Sequence, residues 1–381
     1  MIQLEKYISG KKEKDPTGYT FFIPSLINEQ WKWEEQSINR LLEQAAIKLG
    51  ELNSYSRLVP DIDLFIQLHV TKEAVVSSRI EGTQTQMEEA LMDEDEISPE
   101  GKNDWHEVNN YIKALNQAII QLETLPISSR LIKKTHQILL DSVRGEHKQP
   151  GEYRRSQNWI GGNSLSDAVF IPPNQKYIEN LMGDLEKFLH NEDINVPTLI
   201  KIGIAHYQFE TIHPFLDGNG RIGRLLITLF LVDQKILNKP LLYLSAFFEK
   251  NKSLYYDNLT FVRTKNDMIQ WLKYFLVGVA ETAENATQTL SDILALKSKL
   301  KQQISATFGK RSNNAARLLQ YLFKKPVVHV NQVKEVNKIS YKSANDLVSE
   351  FVHAGILREM TGQNRNRVFV FDEYLKMFER K

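Results

Sequence analysis

The chain has 381 residues, of which 42% are hydrophobic and 25% charged, a composition typical of globular rather than disordered proteins. At about 150 residues per domain, this length predicts two or three domains. The formal net charge of +1 argues against a polybasic protein, and the sequence contains no cysteine. Disulfides, cysteine-ligated zinc, iron–sulfur clusters and a thiol nucleophile are therefore excluded.

The beginning of the chain has no apolar run behind its first charged residues, so it does not resemble a signal peptide. The longest strongly apolar run, residues 225–232, is too short to cross a bilayer. The sequence therefore predicts a soluble, cytoplasmic protein that has no membrane partner.

Apolar residues at helical spacing predict that most of the chain is α-helical. The predicted helices cover residues 37–49, 64–81, 105–124, 128–140, 176–190, 198–212, 221–235 and 268–300, the last as one helix or two. Residues 87–101 are rich in aspartate and glutamate, which is typical of a solvated helix end and loop; a cation site is the alternative. The predicted fold class is therefore mainly α.

Two regions depart from this helical pattern. Residues 151–173 contain two short β-type runs separated by Gly, Asn and Ser, which predict a β-hairpin. Residues 313–381 contain a helix, a helix–turn–helix pattern whose second helix covers 343–353, and two β-type runs around a turn at 362–364. This order of elements is typical of a winged helix.

Charge separates the same C-terminal region from the rest. Residues 310–381 carry 14 lysines and arginines against 7 aspartates and glutamates, a net charge of +7, so the other residues contribute −6. We therefore expect an N-terminal helical segment (1–103), a central domain (104–285), and a linker helix with a winged helix–turn–helix domain (286–381).

The most informative segment is HPFLDGNGRIGR, residues 213–224, which lies between two predicted helices. Its glycines place a helix start near residues 218–221, where free backbone N–H groups favour an anion. Arg221 and Arg224 lie on one face of that helix and suit a polyphosphate. Asp217 offers the hard oxygen that Mg²⁺ prefers, and His213 can act as a general base. The set is suited to nucleotidyl or phosphoryl transfer; the alternative is a helix connection that merely needs glycines.

These twelve residues match H-x-F-x-D/E-G-N-G/K-R-x-x-R, the Fic (Fido) family signature, at every fixed position, and the chain resembles that family over nearly its whole length. The resemblance implies a helical Fic core with a β-hairpin flap. It also implies transfer of AMP from ATP to a Ser, Thr or Tyr hydroxyl of a target protein, possible self-modification included, with release of pyrophosphate. Relatives that transfer phosphate, resembling Doc, have Lys where this chain has Gly220, so Gly220 favours adenylylation.

The resemblance assigns a role to each position of the signature. His213 would be the base, and Asp217 would hold Mg²⁺ between the α- and β-phosphates. The loop residues would cradle the phosphates, and these are Gly218, Asn219 and Gly220. Arg221 would bind the β-phosphate and Arg224 the γ-phosphate.

A second segment, Ser77 to Gly82, resembles the family's inhibitory motif S/T-x-x-x-E-G/N. Glu81 lies at the end of a predicted helix, where the helix dipole disfavours an anion, and on its own it is simply a helix-end acid. The resemblance implies that Glu81 contacts Arg224, so that ATP binds in an unproductive pose. In some relatives the same glutamate supports removal of AMP, and a de-AMPylase that uses Glu81 is therefore an alternative.

Two further segments resemble the family. Asn158, Trp159, Ile160 and Gly161 match the flap, whose strand edge would hold an extended target segment by β-augmentation. Tyr255 and Tyr256 lie where relatives pack the adenine of ATP, although a tyrosine pair on a helix also fits a core. His206 is predicted to be a core residue, because the sequence offers no further zinc ligands at suitable spacing.

The winged helix leaves the partner open between DNA and protein. Lys338, Lys342, Arg365 and Arg367 would reach DNA phosphates, whereas Asp346 and Glu350 lie on the candidate recognition helix and would repel them. The competing function is a DNA-binding regulator whose Fic core senses nucleotide. The sequence names neither the target nor the signal that relieves Glu81, and it leaves a homodimer open.

Overall fold

The computed structural model describes residues 1–59, 62–362 and 367–379 and is mainly helical, as predicted. The helices of the first half are α1 (Gln36–Leu58), α2 (Ile62–Ile80), α3 (Met87–Ala90), α4 (Lys102–Gln121), α5 (Ser129–Leu139) and α6 (Ile178–His190). Those of the second half are α7 (Thr198–Ile212), α8 (Asn219–Asp233), α9 (Ser245–Lys250), α10 (Lys252–Lys265), α11 (Met268–Thr307), α12 (Ser312–Leu322), α13 (Val330–Asn337), α14 (Tyr341–His353) and α15 (Asp372–Glu379). The strands are β1 (Ile2–Gln3), β2 (Gly10–Lys14), β3 (Thr20–Pro24), β4 (Trp31–Lys32), β5 (Val327–His329), β6 (Arg358–Glu359) and β7 (Val368–Val370).

The first 35 residues correct the prediction of a helical N-terminal segment. β2 and β3 form an antiparallel hairpin, and β1 pairs in parallel with β4. The hairpin turn is closed by the Asp15 carboxylate, which accepts from the Thr17 N–H at 2.9 Å, and by Gly18 at φ 108°. The charge-rich sequence of β2 has little strand propensity of its own, so this strand depends on its partner, whose Phe21 and Phe22 are buried.

The segment between α7 and α8 lies at the centre of the fold. Residues 199–212 of α7 and 221–231 of α8 are all buried, which is typical of helices at the core of a larger bundle. α7 packs against α6 and α8, while α4 and α5 also contact α8. The turn that carries the sequence motif is therefore anchored at both ends by core helices.

Residues 268–300, predicted as one helix or two, belong to the single 40-residue helix α11, which packs along α1. The predicted region boundaries after residues 103 and 285 fall inside α4 and α11. The division into three regions therefore stays a prediction. In the described ranges no helix combines the length and the apolar character needed to cross a membrane.

The predicted flap hairpin is reduced to one bridge. Ile160 and Phe170 form an isolated antiparallel pair, so the predicted hairpin is held by one bridge and its two runs do not extend into full strands. The Phe22 N–H of β3 donates to the Ile171 carbonyl at 3.0 Å. This hydrogen bond joins the flap to the N-terminal hairpin. Gly161 and Gly162, at φ 67° and 72°, bend the flap segment.

The C-terminal unit contains α12, β5, α13, α14, β6 and β7, with strand order β5-β7-β6. This is the predicted helix–turn–helix with a small sheet, except that its second helix begins at Tyr341. Residues 363–366, which include Arg365, lie outside the described residues. α15 then packs against α2 and α11, with the Phe378 ring 5.7 Å from that of Phe65.

The acidic stretch before α4 joins this unit instead of forming a solvated loop throughout. Asp93 accepts from the Lys325 ammonium at 3.0 Å, and Glu96 contacts His329. The ligand atoms of Asp93, Glu96 and His329 lie within 4.8 Å of one another. Because the Lys325 ammonium already neutralises Asp93, these contacts are better described as a link between two parts of the chain than as a cation site.

Candidate active site

Residues 213–219 form a closed turn between α7 and α8. His213 ends α7 in the left-handed region at φ 51°, and Gly218, at φ 74°, precedes α8. The Asn219 side chain accepts from the Phe215 N–H at 2.8 Å and donates to the Phe215 carbonyl at 2.9 Å. A non-glycine residue in the left-handed region costs about 1–2 kcal/mol, which such contacts must offset. The side chain of Asn219 therefore closes the turn, and only its backbone is left for the predicted phosphate contact.

Two buried side chains that lie outside every motif brace the same turn. The His136 ring stacks on Phe215 with centroids 3.8 Å apart and planes 9° apart. Its Nδ1 accepts from the Gly151 N–H at 2.9 Å, so its Nε2–H donates to the Asp217 carbonyl at 3.0 Å. The Arg154 guanidinium donates to the His213 carbonyl at 3.0 Å. The sequence gives no signal for these roles, because both residues act across long separations in the chain.

The predicted flap residues divide into two groups. Asn158 is buried and donates to the carbonyls of Phe215 at 2.9 Å and His213 at 3.3 Å, so it holds the turn and not a target. The Ile160 N–H donates to the Phe170 carbonyl, and the Ile160 carbonyl accepts from the Phe170 N–H. In an antiparallel pair the neighbouring backbone groups point to the opposite edge. Trp159, which is 40% exposed, and Gly161 are therefore the residues left to face a partner.

His213 is held as a neutral, half-buried imidazole. Burial, followed by the positive charges of Arg154 and Arg263, lowers the pKa of His213 to about 4. Its Nδ1 is buried, and no group in the described part of the chain bonds to it. The ring is therefore unprotonated at neutral pH, which is the state from which a general base acts.

Arg221 and Asp217 lie side by side. The Arg221 side chain is 3% exposed, and its Nη2 is 3.5 Å from Asp217 Oδ1. Its Nη1 donates to Glu107 Oε2 of α4 at 3.1 Å. Glu107 Oε1 accepts from Arg144 Nε at 2.7 Å. The sequence predicted Arg221 and Asp217 but missed Glu107 and Arg144, which reach the site from other elements.

Arg224 is engaged by the end of α2. Its Nε donates to Ser77 Oγ at 2.9 Å, and its Nη2 donates to the Ser77 carbonyl at 2.9 Å and to Glu81 Oε1 at 2.8 Å. Desolvation opposes ionisation of Glu81, but the charges of Arg224 and Arg221 outweigh it, and the pKa of Glu81 is lowered. The structure thus brings Arg224 together with Ser77 and Glu81, which lie 147 and 143 residues before it in the sequence.

Gly220 permits this approach. A Cβ atom at position 220 would lie 2.3 Å from Glu81 Oε1 and 2.9 Å from Arg224 Nη1, closer than real contacts allow. The end of α2 is held in turn by Lys252, whose ammonium donates to the Ile80 carbonyl at 2.9 Å, a favourable place for a cation. Gly82 follows at φ 109° and stops the helix.

Two regions of the chain match a known protein family. The Fic/DOC family N-terminal region matches residues 39–120, and the Fic/DOC family matches residues 126–231. These two regions belong to the Fic/DOC family. The protein adenylyltransferase Fic of Drosophila erecta is 27% identical over 210 residues, which are 55% of this chain and 37% of that protein. A probable protein adenylyltransferase of Aquifex aeolicus is 40% identical over 89 residues, 23% of this chain and 26% of that protein.

The matches therefore span only 37% and 26% of the length of these two relatives. A crystal structure of a Fic family protein from Desulfovibrio desulfuricans covers 88% of this chain and 95% of its own, with a TM-score of 0.53 at 19% identity. That likeness establishes the fold. The activity must be argued from the site of this chain.

The tyrosine pair of this Fic core has divided roles. Tyr255 is 1% exposed, and its hydroxyl bonds to His206 Nε2 at 2.9 Å. His206 Nδ1 bonds to the Gly223 carbonyl at 2.9 Å, so His206 is a core residue, as predicted. Tyr256 is 41% exposed. The prediction that both tyrosines contact adenine was therefore wrong for Tyr255, and Tyr256 is the ring that a base can reach.

The residues of the Fic turn fit a magnesium nucleotide. The Asp217 side chain is 44% exposed, and its Oδ1 accepts from the Gly218 N–H at 2.6 Å, which leaves Oδ2 for a hard cation. Arg221 Nε is buried, and among residues 1–59, 62–362 and 367–379 no group accepts its hydrogen. A phosphate oxygen is the kind of acceptor that an unpaired guanidinium N–H requires.

Proposed function

We propose that this Fic protein transfers AMP from ATP to a hydroxyl side chain of a target protein and that Glu81 restrains the reaction. The observation that supports this most directly is the convergence on one turn. A neutral His213, a half-exposed Asp217, and the guanidinium groups of Arg221 and Arg224 meet around the free N–H groups of α8. A set of this kind suits transfer from a triphosphate.

The bond changes follow from these positions. His213 takes the proton of the target hydroxyl while the hydroxyl oxygen bonds to the α-phosphorus of ATP. The bond from that phosphorus to the oxygen shared with the β-phosphate breaks, and pyrophosphate leaves with the electron pair. Arg221 binds the leaving phosphates; Asp217 would hold Mg²⁺, which would supply charge neutralisation there. The low pKa of His213, about 4, keeps the base unprotonated at physiological pH.

The restraint follows from the Arg224 contacts. Two N–H groups bond to Ser77 and one to Glu81, so the Nε and Nη2 side of the guanidinium is occupied and a γ-phosphate would have to displace Glu81 from it. The Glu81 side chain is 37% exposed, so water can replace its contact with Arg224 when the C-terminal end of α2 moves away from α8. The unpaired edge at Trp159 and Gly161 would hold the target segment.

The test uses ATP labelled at the α-phosphate with Mg²⁺ and the full chain, alone and in a cell lysate. We expect weak labelling by the wild type, stronger labelling by Glu81→Gly and none after His213→Ala is added. Glu100→Gly, an exposed loop glutamate, is the matched control and should label like the wild type. A silent Glu81→Gly variant would contradict the proposal. Loss of AMP from a labelled target with the wild type but not with Glu81→Gly would instead favour the de-AMPylase.

A DNA-binding regulator remains the second candidate because of one observation. Asp346 and Glu350, whose charges oppose DNA, are both paired with Arg311, at 3.6 and 2.6 Å. Lys338 and Lys342 are exposed near the start of α14. The substitutions Lys338→Gln and Lys342→Gln remove these two charges and should weaken the binding of a labelled DNA duplex and reduce the salt dependence of that binding. Duplex binding that survives His213→Ala, in a chain that never labels protein, would favour this candidate.

A further inference from the structure

Glu107 is a buried carboxylate shared by two guanidinium groups at the edge of the Fic turn. It lies on α4, is 6% exposed, and belongs to the N-terminal family region. Its Oε2 is 3.1 Å from Arg221 Nη1 and its Oε1 is 2.7 Å from Arg144 Nε. A buried acid is costly unless it is paired, and here each oxygen has its own cation.

The donors of Arg221 show what this contact does. Nη1 is taken by Glu107, Nη2 lies 3.5 Å from Asp217 Oδ1, and the buried Nε has no acceptor within the described residues. Glu107 is thus nearer to Arg221 than Asp217 is, and the charge of Glu81 also attracts Arg221. If Glu107 were removed, Asp217 would be the acid in direct contact with Arg221.

We propose that Glu107 is a positioning residue that holds Arg221 ready for the β-phosphate and keeps it from closing on Asp217. The inference rests on the proposed function. An arginine has a long stem with about 2 kcal/mol of rotamer entropy, and a preformed contact removes that cost from nucleotide binding. Holding Arg221 on Glu107 also leaves an Asp217 oxygen available to Mg²⁺.

Arg144 completes the arrangement. Its side chain is 57% exposed, and its Nη2 donates to Asp104 at 2.7 Å. Arg144 therefore neutralises Glu107 from the solvent side, so that Glu107 can pair with Arg221 without cancelling its attraction for phosphate. Asp104 and Glu107 are thus balanced by Arg144 and Arg221, and the added charge of a triphosphate meets a guanidinium that is already in place.

The test compares nucleotides of different length in the Glu81→Gly background, where Arg224 is released. Glu107→Gln keeps the shape of the side chain and removes its charge. By calorimetry with Mg²⁺ we expect ATP to bind about tenfold or more weakly, because hydrogen bonds to charged groups are worth that much, while AMP binds as before. The Mg²⁺ concentration for half-maximal protein labelling should rise, since Arg221 then competes for Asp217.

Two further variants make the outcome specific. Glu350→Gln, which breaks a Glu–Arg pair in the C-terminal unit, should change the binding of neither ATP nor AMP. Glu107→Asp keeps the charge but has a shorter side chain, so its affinity for ATP should lie between that of the parent and that of Glu107→Gln. If Glu107→Gln does not fold, Glu107→Asp takes its place in the comparison. Unchanged ATP binding, or an equal loss for AMP and ATP, would overturn the role of Glu107.

The proposed function can be contradicted independently of the role of Glu107. If the Glu81→Gly parent binds ATP but transfers nothing to protein, the transferase proposal is contradicted, while a selective loss of ATP binding in Glu107→Gln still supports the positioning role. A parent that binds no ATP overturns both, because the role of Glu107 depends on a triphosphate site.

Discussion

The two ends of α2 make opposite kinds of contact. At its C-terminal end, Ser77 and Glu81 make polar contacts with Arg224, and the Glu81 side chain is 37% exposed. Near its N-terminal end, Phe65 is 3% exposed and packs on Phe378 of α15, with ring centroids 5.7 Å apart. The half-exposed Glu81 carboxylate can be taken up by water, although the buried guanidinium of Arg224 then needs another acceptor, whereas buried rings cannot be separated without exposing them. One end is therefore suited to regulation and the other to anchoring.

The anchoring end should give the largest change in stability. Phe378→Ala removes a ring that is 1% exposed, and we expect the free energy of unfolding to fall by about 3–5 kcal/mol. Chemical denaturation followed by circular dichroism measures this. Protein labelling should change little, because Phe65 and Ser77 are twelve residues, or about 18 Å, apart along the helix. Labelling that rises as much as in Glu81→Gly would show that the two ends are coupled.

Glu73, between the two ends, should make stability depend on pH. Burial raises its pKa to about 7, against the opposing effects of Ser245, Arg224 and Tyr111. The folded state thus prefers the protonated acid, so its contribution is complete below pH 4.5 and is lost as pH rises towards 7. Glu73→Gln does not titrate, and its stability relative to the wild type should increase over that window by about 2–3 kcal/mol.

Urea titrations at pH 5 and pH 8 measure this difference. Glu51→Gln, on the exposed glutamate of α1 that pairs with Lys48, serves as the control and should shift equally at both pH values. A Glu73→Gln chain with the same relative stability at pH 5 and pH 8 would mean that Glu73 is ionised at little cost.

The regulatory end should respond mainly in activity. In Glu81→Gln the amide oxygen can still accept from Arg224, but the charge attraction is gone. We expect labelling to rise about tenfold, equivalent to about 1.4 kcal/mol. The free energy of unfolding should fall by about 1–2 kcal/mol, because the Arg224 guanidinium is buried but keeps the amide oxygen as an acceptor. A large loss of stability without a rise in labelling would assign Glu81 to the anchor and contradict the contrast between the two ends.

The same contrast explains what could be predicted from the sequence. Glu81 and the turn residues from His213 to Arg224 lie in two short sequence motifs. Those motifs alone were enough to predict that these residues come together in one site. The contact of Phe65 with Phe378 and that of Glu107 with Arg221 join residues more than 100 positions apart. Such pairs are set by how helices pack, and a single sequence carries no signal for them.

Short elements and side-chain direction account for the errors. The N-terminal strands are two to five residues long, too short for alternation to stand out. Asn158 and Tyr255 were placed on the correct segments, but each points inward, to the Phe215 carbonyl and to His206 respectively. A motif fixes which residues are near a site, while their orientation depends on neighbours that only the fold supplies.

The smallest expected effect distinguishes Ser77 from its neighbour. Ser77→Ala removes the acceptor of Arg224 Nε but leaves the Ser77 carbonyl and Glu81 in contact with Nη2. Labelling should rise about two- to fivefold, less than for Glu81→Gln, because one neutral acceptor is worth about 0.5–1 kcal/mol. Ser78→Ala is the matched control, since Ser78 Oγ is buried and bonds to no group in the described ranges. If both variants rise equally, the effect comes from α2 as a whole and not from the hold on Arg224; if only Ser77→Ala rises, the restraint is built from separate hydrogen bonds that can be removed one at a time.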